Sequence, residues 1–535
     1  MKKNKTALIL PLASLILLTT GCFNLPWRRS SSSSQESISS ETSSPSSSSS
    51  SESSDMSESS SIDENPGYVK VEQLSMTSSD MNSAYAPATG DVKMLVVPIT
   101  FGGTTKTGVD SSEGSFGSWT SAKLNTMDNI YFGESDSLKS YYDTASFGKM
   151  RLTGMVSDPY VNTTYRARDI LDDDSMDLLW DMMEEALAWV IDSNPDINWD
   201  EYDINNDGNI DNIHLITNFT SYKWANNLWP HMFYTRRENH GEHLGINVYS
   251  VSGIGYVNSA TTAIHEQGHI FGLQDYYDYS DDGNSPIDYI GGLDMQSHNV
   301  LDWNSYSKLT TGWVEPYVVT GERDVTTITI SAASLNGDCI IIPADYSTWN
   351  GSAFDEYFLL ELFSPFGNNT DDWSQTSLGM GGVRLYHVDG RYYGSNIRDP
   401  YNEELLIVDD LEAQEINSKE DVAQFLYNTQ GANNSSYWRD YEGGIEQLAN
   451  HPLLSIVQRK GTFSFADSNP SAEHTLTAMD LFKPGHVFNF DSYSQFLNKD
   501  CTPAETMDNG EVFPYEVTFS NHTKEHITVT ITKVK

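Results

Sequence analysis

The stretch that most limits what this chain can become is His265-Glu266-Gln267-Gly268-His269, followed at fixed offsets by Gly272 and Asp275. The pattern is HExxHxxGxxD, and the apolar residues Ile264, Ile270, Phe271 and Leu273 surround it at helical spacing. On an α-helix, residues four apart lie one turn above each other, so His265 and His269 can offer two imidazoles to one metal ion. Glu266 sits about 100° round the helix from His265, off the ligand line, where it can act as a base on water at that ion. Gly272 can take a positive φ and end the helix, and the returning chain brings Asp275 within reach as a third, oxygen ligand. That set leaves the fourth corner of a tetrahedral zinc for water. Asp278, three residues on, competes for the same ligand position. Composition alone produces an HExxH in roughly one or two of every hundred chains of this length. A chance match has no reason to carry Gly and Asp at these offsets in an apolar helical setting, so the pattern points to a catalytic metal site.

A chain of 535 residues, 38% of them hydrophobic, can bury sizeable cores in two or three domains. With 75 acidic against 31 basic side chains, the net charge is −44. Such a surface repels phosphate backbones and anionic head groups, which excludes nucleic acid as a natural partner and suits cation binding. Of the three cysteines, Cys339 and Cys501 can pair in an oxidising compartment, and no cysteine cluster suggests a structural zinc or iron–sulfur site.

The N-terminus carries three lysines in its first five residues, then an apolar run at 7–18 and Thr19-Thr20-Gly21-Cys22. That run is too short to span a bilayer and reads as a signal peptide over 1–21. The small residues before Cys22 resemble a bacterial lipoprotein cleavage site, which makes Cys22 a lipidated N-terminus. An ordinary cleaved signal or an uncleaved anchor are the alternatives. Segment 22–66 is dominated by Ser with Glu, Asp and Pro, too polar to offset its ordering entropy, and reads as a disordered tether on the order of 30 Å in span. The expected location is therefore the outer face of the cell membrane, held by lipid alone, or the medium after shedding.

Residues 67–320 read as an α/β unit. The apolar run 94–101 predicts a buried strand, 118–131 a helix and 150–156 a strand. Residues 174–191 form an amphipathic helix with Asp174 as N-cap and Met182 and Met183 in the core. Between 203 and 211, Asp203, Asn205, Asp207, Asn209 and Asp211 alternate, with Gly208 at the sixth position. Oxygen donors so spaced can wrap a structural calcium ion. His214 stands at the twelfth position, where a complete EF-hand has Glu, and 213–219 reads as a strand; a solvated turn is the alternative. The run 244–251 predicts a strand just before the metal helix, a candidate edge for an extended substrate. Tyr276, Tyr277 and His298 are close enough in sequence to serve either as oxyanion helpers or as structural residues.

Beyond residue 320 the pattern changes to short β-rich runs at 325–330, 339–343, 357–362, 383–388 and 527–532. Turn residues separate them, so 321–535 reads as a β-sandwich-like C-terminal domain with a polar insertion at 396–438.

Several motifs in order carry a family likeness. Tyr141-Tyr142, Ser146-Phe147-Gly148-Lys149, Leu152-Thr153-Gly154, the acidic loop, Leu228-Trp229-Pro230-His231, the metal motif, and Asp294-Met295-Gln296-Ser297 with Lys308 and Gly312-Trp313 resemble the immune inhibitor A family of secreted zinc metallopeptidases. Motifs 356–361 and 382–389 resemble that family's β-rich part. The likeness implies a metzincin-like zinc peptidase domain. His265, His269 and Asp275 would be the zinc ligands, Glu266 the base, Met295 the Met-turn residue and proteins or peptides the substrates. The chain departs from the family in having no long propeptide, and in Gln267 where an aromatic residue is usual. Two other readings remain open: a non-catalytic surface lipoprotein that binds a host or matrix ligand, and a zinc hydrolase of cell-wall peptides.

Overall fold

The apolar run expected at 94–101 lies within a twelve-residue strand, Gly90–Phe101, that organises the first part of the computed structural model. Residues 66–81, 86–223, 226–235, 243–273, 275–277, 288–390, 392–393, 413–414, 453–461, 464–466, 475–493, 495–496, 504–507 and 509–535 are described. The signal segment, Cys22, the Ser-rich tether, Asp278, Cys501 and nearly all of the 396–438 insertion lie outside them. No helix among the described residues is long and apolar enough to cross a membrane.

Strand Gly90–Phe101 pairs in parallel with Met150–Val156 on one side and Ile213–Thr217 on the other. Val248–Gly253 follows in parallel, and His231–Tyr234 closes the sheet antiparallel to it. Successive strand residues face opposite sides. Accordingly Val92, Met94 and Val96 enter one core with Ile264, Ile270 and Phe271 of the metal helix. Leu95, Val97 and Ile99 enter another with Met182, Met183 and Val190 of helix Asp177–Ser193. The result is helices on both faces of a mostly parallel sheet, the mixed α/β arrangement expected.

Two expectations need correcting. Val248–Gly253, which overlaps the run 244–251 taken as a substrate edge, is an interior strand; among the described residues the edge belongs to His231–Tyr234. That short strand folds back antiparallel and covers it, and an alternation pattern cannot report which strand lies outermost. Nor does Asp174 cap its helix. The helix begins at Asp177 after Met176 at φ 63°, and the Leu178 N–H donates to Asp173 Oδ2 at 2.8 Å. The tight turn at Met176 puts the preceding carboxylate, not Asp174, over the first turn.

The C-terminal half is β-rich. One sheet runs Tyr68–Lys70, Tyr317–Val319, Cys339–Ile342, Glu356–Phe363, Gly382–Asp389, Leu454–Ile456. A second runs Val325–Ser331, His526–Lys533, Tyr515–Ser520, Val487–Asn489. Ile340, Phe358, Leu360 and Leu385 of the first sheet meet Ile328, Val517 and Val529 of the second in a shared core. The opposite face of the first sheet, through Ile341, Tyr357, Leu359 and Tyr386, packs on Tyr276, Leu301, Tyr306 and Leu309. Both faces of that sheet are thus buried, and strands from either side of residue 320 share it.

Candidate metal centre

Helix Thr261–Ile270 ends as its sequence requires: Gly272 takes φ 85°, the Gly272 N–H donates to His269 O at 2.9 Å, and the Leu273 N–H donates to Gly268 O at 3.0 Å. This is the glycine-dependent closure that satisfies the last carbonyls of a helix. It turns the chain so that Asp275, 4% exposed, lies beside the two histidines.

His265 Nε2 and His269 Nε2 are 3.2 Å apart, and Asp275 Oδ1 lies 3.0 Å from the first and 3.5 Å from the second. Among the described residues this is the one group of three His, Cys, Asp or Glu side chains whose ligand atoms all lie within 4.8 Å of one another. A tetrahedral zinc with bonds of about 2.0–2.1 Å separates its ligand atoms by about 3.3 Å. The donor set and the size of the triangle therefore fit zinc.

Each imidazole is held from behind. His265 Nδ1 lies 2.9 Å from the Met295 carbonyl oxygen, and His269 Nδ1 lies 2.8 Å from that of Leu273. A carbonyl only accepts, so Nδ1 carries the hydrogen in both rings and Nε2 is turned to the centre, the tautomer a metal requires. Burial alone would lower both imidazole pKa values, but the Asp275 carboxylate outweighs it, raising His265 and taking His269 to about 9. Burial would raise Asp275, yet the two imidazoles hold it well below the usual carboxylate range. The pocket is built around positive charge, whether from protons or from a cation.

Glu266 is 4% exposed, and burial pushes its carboxyl up while His265 and His269 oppose the shift. The phenols of Tyr131 and Tyr142 stay neutral through burial, reinforced by the Glu266 charge. Tyr142 OH also donates to Ile264 O at 2.5 Å, tying helix Leu138–Ala145 to the metal helix. Behind the helix, His214 Nε2 meets Gln267 Oε1 at 3.1 Å and His214 Nδ1 meets Tyr131 OH at 3.2 Å. Burial brings the His214 pKa down to about 3, so this ring is neutral and serves as a strut under the helix. The twelfth position of the acidic loop thus belongs to the metal helix's support.

Residues 294–296 lie against His265, His269 and the residue after Asp275. Met295 is buried in the core of Ile264 and Phe271, and its carbonyl holds His265. The Gln296 carbonyl accepts from Tyr276 N–H at 3.1 Å, fixing the residue after Asp275. Gln296 Nε2 stands 3.5 Å from His269 Nδ1. Gly268 permits this approach, since a Cβ there would lie 2.3 Å from Gln296 Oε1.

Tyr276 is buried with its hydroxyl 2.7 Å from Ser307 Oγ, a structural commitment. Half-buried Tyr277 bridges Asp288 through its backbone, and exposed His298 lies 3.8 Å from Asp288 Oδ2.

The acidic loop closes on itself. Asp203 accepts from the Asp207 and Gly208 N–H groups at 3.0 and 2.9 Å, and Asp207 Oδ1 accepts from the Asn209 N–H at 2.9 Å. Asp211 accepts from the Ile204 N–H, and Asn209–Ile210 pairs in parallel with Gly245–Ile246. Two observations fit a cation. Asn209 Oδ1 is buried without a hydrogen-bond partner, and burial with nearby Asp207 and Asp203 raises the Asp211 pKa to about 6. The carboxylates of Asp203, Asp207 and Asp211 are not drawn together as tightly as His265, His269 and Asp275.

The residues that escaped sequence reasoning are Asp294, Gln296, Glu361 and Arg384. Asp294 and Gln296 flank Met295, and Glu361 and Arg384 lie within the segments 356–361 and 382–389, yet the sequence assigns none of the four a role at the site. The chain matches no protein-family model and no curated protein.

Proposed function

We propose that this chain is an exported, zinc-dependent endopeptidase of metzincin type, lipid-anchored through Cys22, that hydrolyses extracellular proteins or peptides. The observation that carries the reading is the triangle of His265 Nε2, His269 Nε2 and Asp275 Oδ1, with both Nδ1 atoms engaged by backbone carbonyls. Zinc bound there would supply Lewis acidity for a scissile carbonyl and lower the pKa of a water. Met295 O and Leu273 O keep the two imidazoles aimed at the centre. Glu266, one residue from a ligand and desolvated, accepts the proton of the attacking water and delivers it to the leaving amine. Edge strand His231–Tyr234 offers an extended peptide a backbone to pair with. We assign a structural calcium ion to Asp203, Asn205, Asp207, Asn209 and Asp211 in the loop that leads into the sheet.

The test uses the chain from Gly67 onward, loaded with zinc, and measures peptide release from an unfolded protein alongside Glu266→Gln. Retained zinc with activity lower by roughly 10²–10⁴ in the variant supports the reading. Equal activity in the two proteins, or release of cell-wall peptides alone, overturns it.

A further inference from the structure

Glu361 and Arg384 stand opposite each other on neighbouring strands of the β-rich half, and each is 3% exposed or less. The Arg384 guanidinium pairs with Glu361 Oε1, to which the Tyr386 hydroxyl also donates at 3.1 Å. Both members then reach across to the other half. Arg384 Nη1 donates to the Leu293 carbonyl oxygen at 3.1 Å, while Glu361 Oε2 accepts from Ser305 N–H at 2.8 Å and Ser305 Oγ at 2.6 Å. Leu293 and Ser305 bracket the stretch 293–305, which carries Met295 and Gln296.

Inside that segment, Asp294 draws the ends together. Its Oδ1 accepts from Gln296 N–H at 2.8 Å, and its Oδ2 accepts from Asn304 N–H at 2.8 Å and Nδ2 at 2.9 Å. Burial raises the Asp294 carboxyl to about 6 against the pull of Arg384, so one guanidinium serves two buried carboxyl groups. What the closed segment presents to the metal helix is Met295 O on His265, Gln296 O on the residue after Asp275, and the Gln296 side chain against Gly268 and His269.

We propose that Glu361 and Arg384 are positioning residues of the metal centre. They clamp both ends of 293–305 and so set the three backbone and side-chain contacts that aim His265, His269 and Asp275. The β-rich half is on this view a component of the metal site. The inference rests on the zinc reading above and deepens it. Groups that orient metal ligands from behind commonly change metal affinity by about 10–100-fold when removed.

The experiment measures zinc affinity of the full-length chain by competition with a chromophoric chelator, a readout independent of activity. Removing Arg384 alone would leave the Glu361 charge buried and unpaired, so the variant is the double substitution Glu361→Leu/Arg384→Met, which removes that pair and leaves Asp294 held by the Gln296 and Asn304 donors. Val517→Ala, in the core between the two β-sheets, is the control for general loss of stability. Expected is zinc binding weaker by about tenfold or more in the double variant, and within about twofold of wild type in Val517→Ala. A folded double variant that holds zinc like wild type overturns the proposal, as does an equal loss in Val517→Ala. If the double variant does not fold, Ser305→Ala decides: severalfold weaker zinc supports the clamp, and unchanged affinity removes it. A wild-type chain that binds no zinc overturns the metal reading itself, an outcome distinct from all of these.

Discussion

The Met295 carbonyl oxygen receives the Nδ1–H of His265 at 2.9 Å, so the backbone of Met295, not its sulfur, fixes this imidazole. Met295→Leu keeps that carbonyl and nearly the same volume. We expect a stability loss below about 1.5 kcal/mol, the range of volume-conserving core exchanges. Zinc affinity should change by much less than the about tenfold that losing a ligand's partner costs. Chelator competition checks this, and a tenfold loss would mean the thioether itself matters to the site.

Gly268 faces Gln296 at a distance where no Cβ fits. Gly268→Ala gains helix propensity but forces the two segments apart, with overpacking of about 1–3 kcal/mol. The double variant Gly268→Ala/Gln296→Ala relieves the clash. Thermal unfolding and zinc affinity should both be lower in Gly268→Ala and partly restored in the double. Independent, additive effects of the two substitutions would refute the contact.

The Thr235 N–H donates to Asn247 O at 2.8 Å, and His231–Tyr234 continues that antiparallel register. In an antiparallel ladder the outward and inward N–H groups alternate, which turns the Met232 N–H away from Val248–Gly253. Met232→Pro deletes it at a position an edge strand tolerates. KM for a peptide substrate should rise by up to about tenfold, the value of one hydrogen bond, with kcat and zinc content kept. An unchanged KM would take substrate pairing away from this edge.

Asp211 provides a pH test of the acidic loop. Its folded pKa of about 6 lies above the ordinary 3.8, raised by burial first and then by Asp207 and Asp203. The native state therefore binds the proton more tightly, and the stabilisation present below pH 3.8 is lost as pH rises to 6 and beyond. In chelator above pH 6, Asp211→Asn should melt higher than wild type, and the gap should close toward pH 4. Added calcium should reverse the order, because the ion relieves the repulsion and needs the charge. A variant that gains as much from calcium as wild type would leave the loop a plain turn.

Much of this was legible in advance because its causes are local. The spacing of His265, Glu266, His269, Gly272 and Asp275 encodes one helix and one turn, and the triangle follows from those two elements alone. Likewise Gly90–Phe101 and Gly382–Asp389 announce themselves by their β-branched and aromatic residues. What stayed hidden depends on contacts far apart in the chain. His214 sits 53 residues before its partner Gln267, and Ser305 is 56 residues from Glu361. Nothing in the neighbourhood of Glu361 or Arg384 distinguishes a clamp from an ordinary polar strand position. The order of strands was equally opaque, since alternation says which face is buried and not which neighbour lies alongside.

Glu356–Phe363 is buried along its whole length, between the second β-sheet and helix Ser305–Thr310. A gene fragment trimmed at residue 320 would lose this layer and leave Tyr306, Leu309 and Val318 facing water. Its product would precipitate or be digested while still carrying an intact HExxHxxGxxD. The unit that must be inherited, expressed and engineered runs from Tyr68 to Lys533.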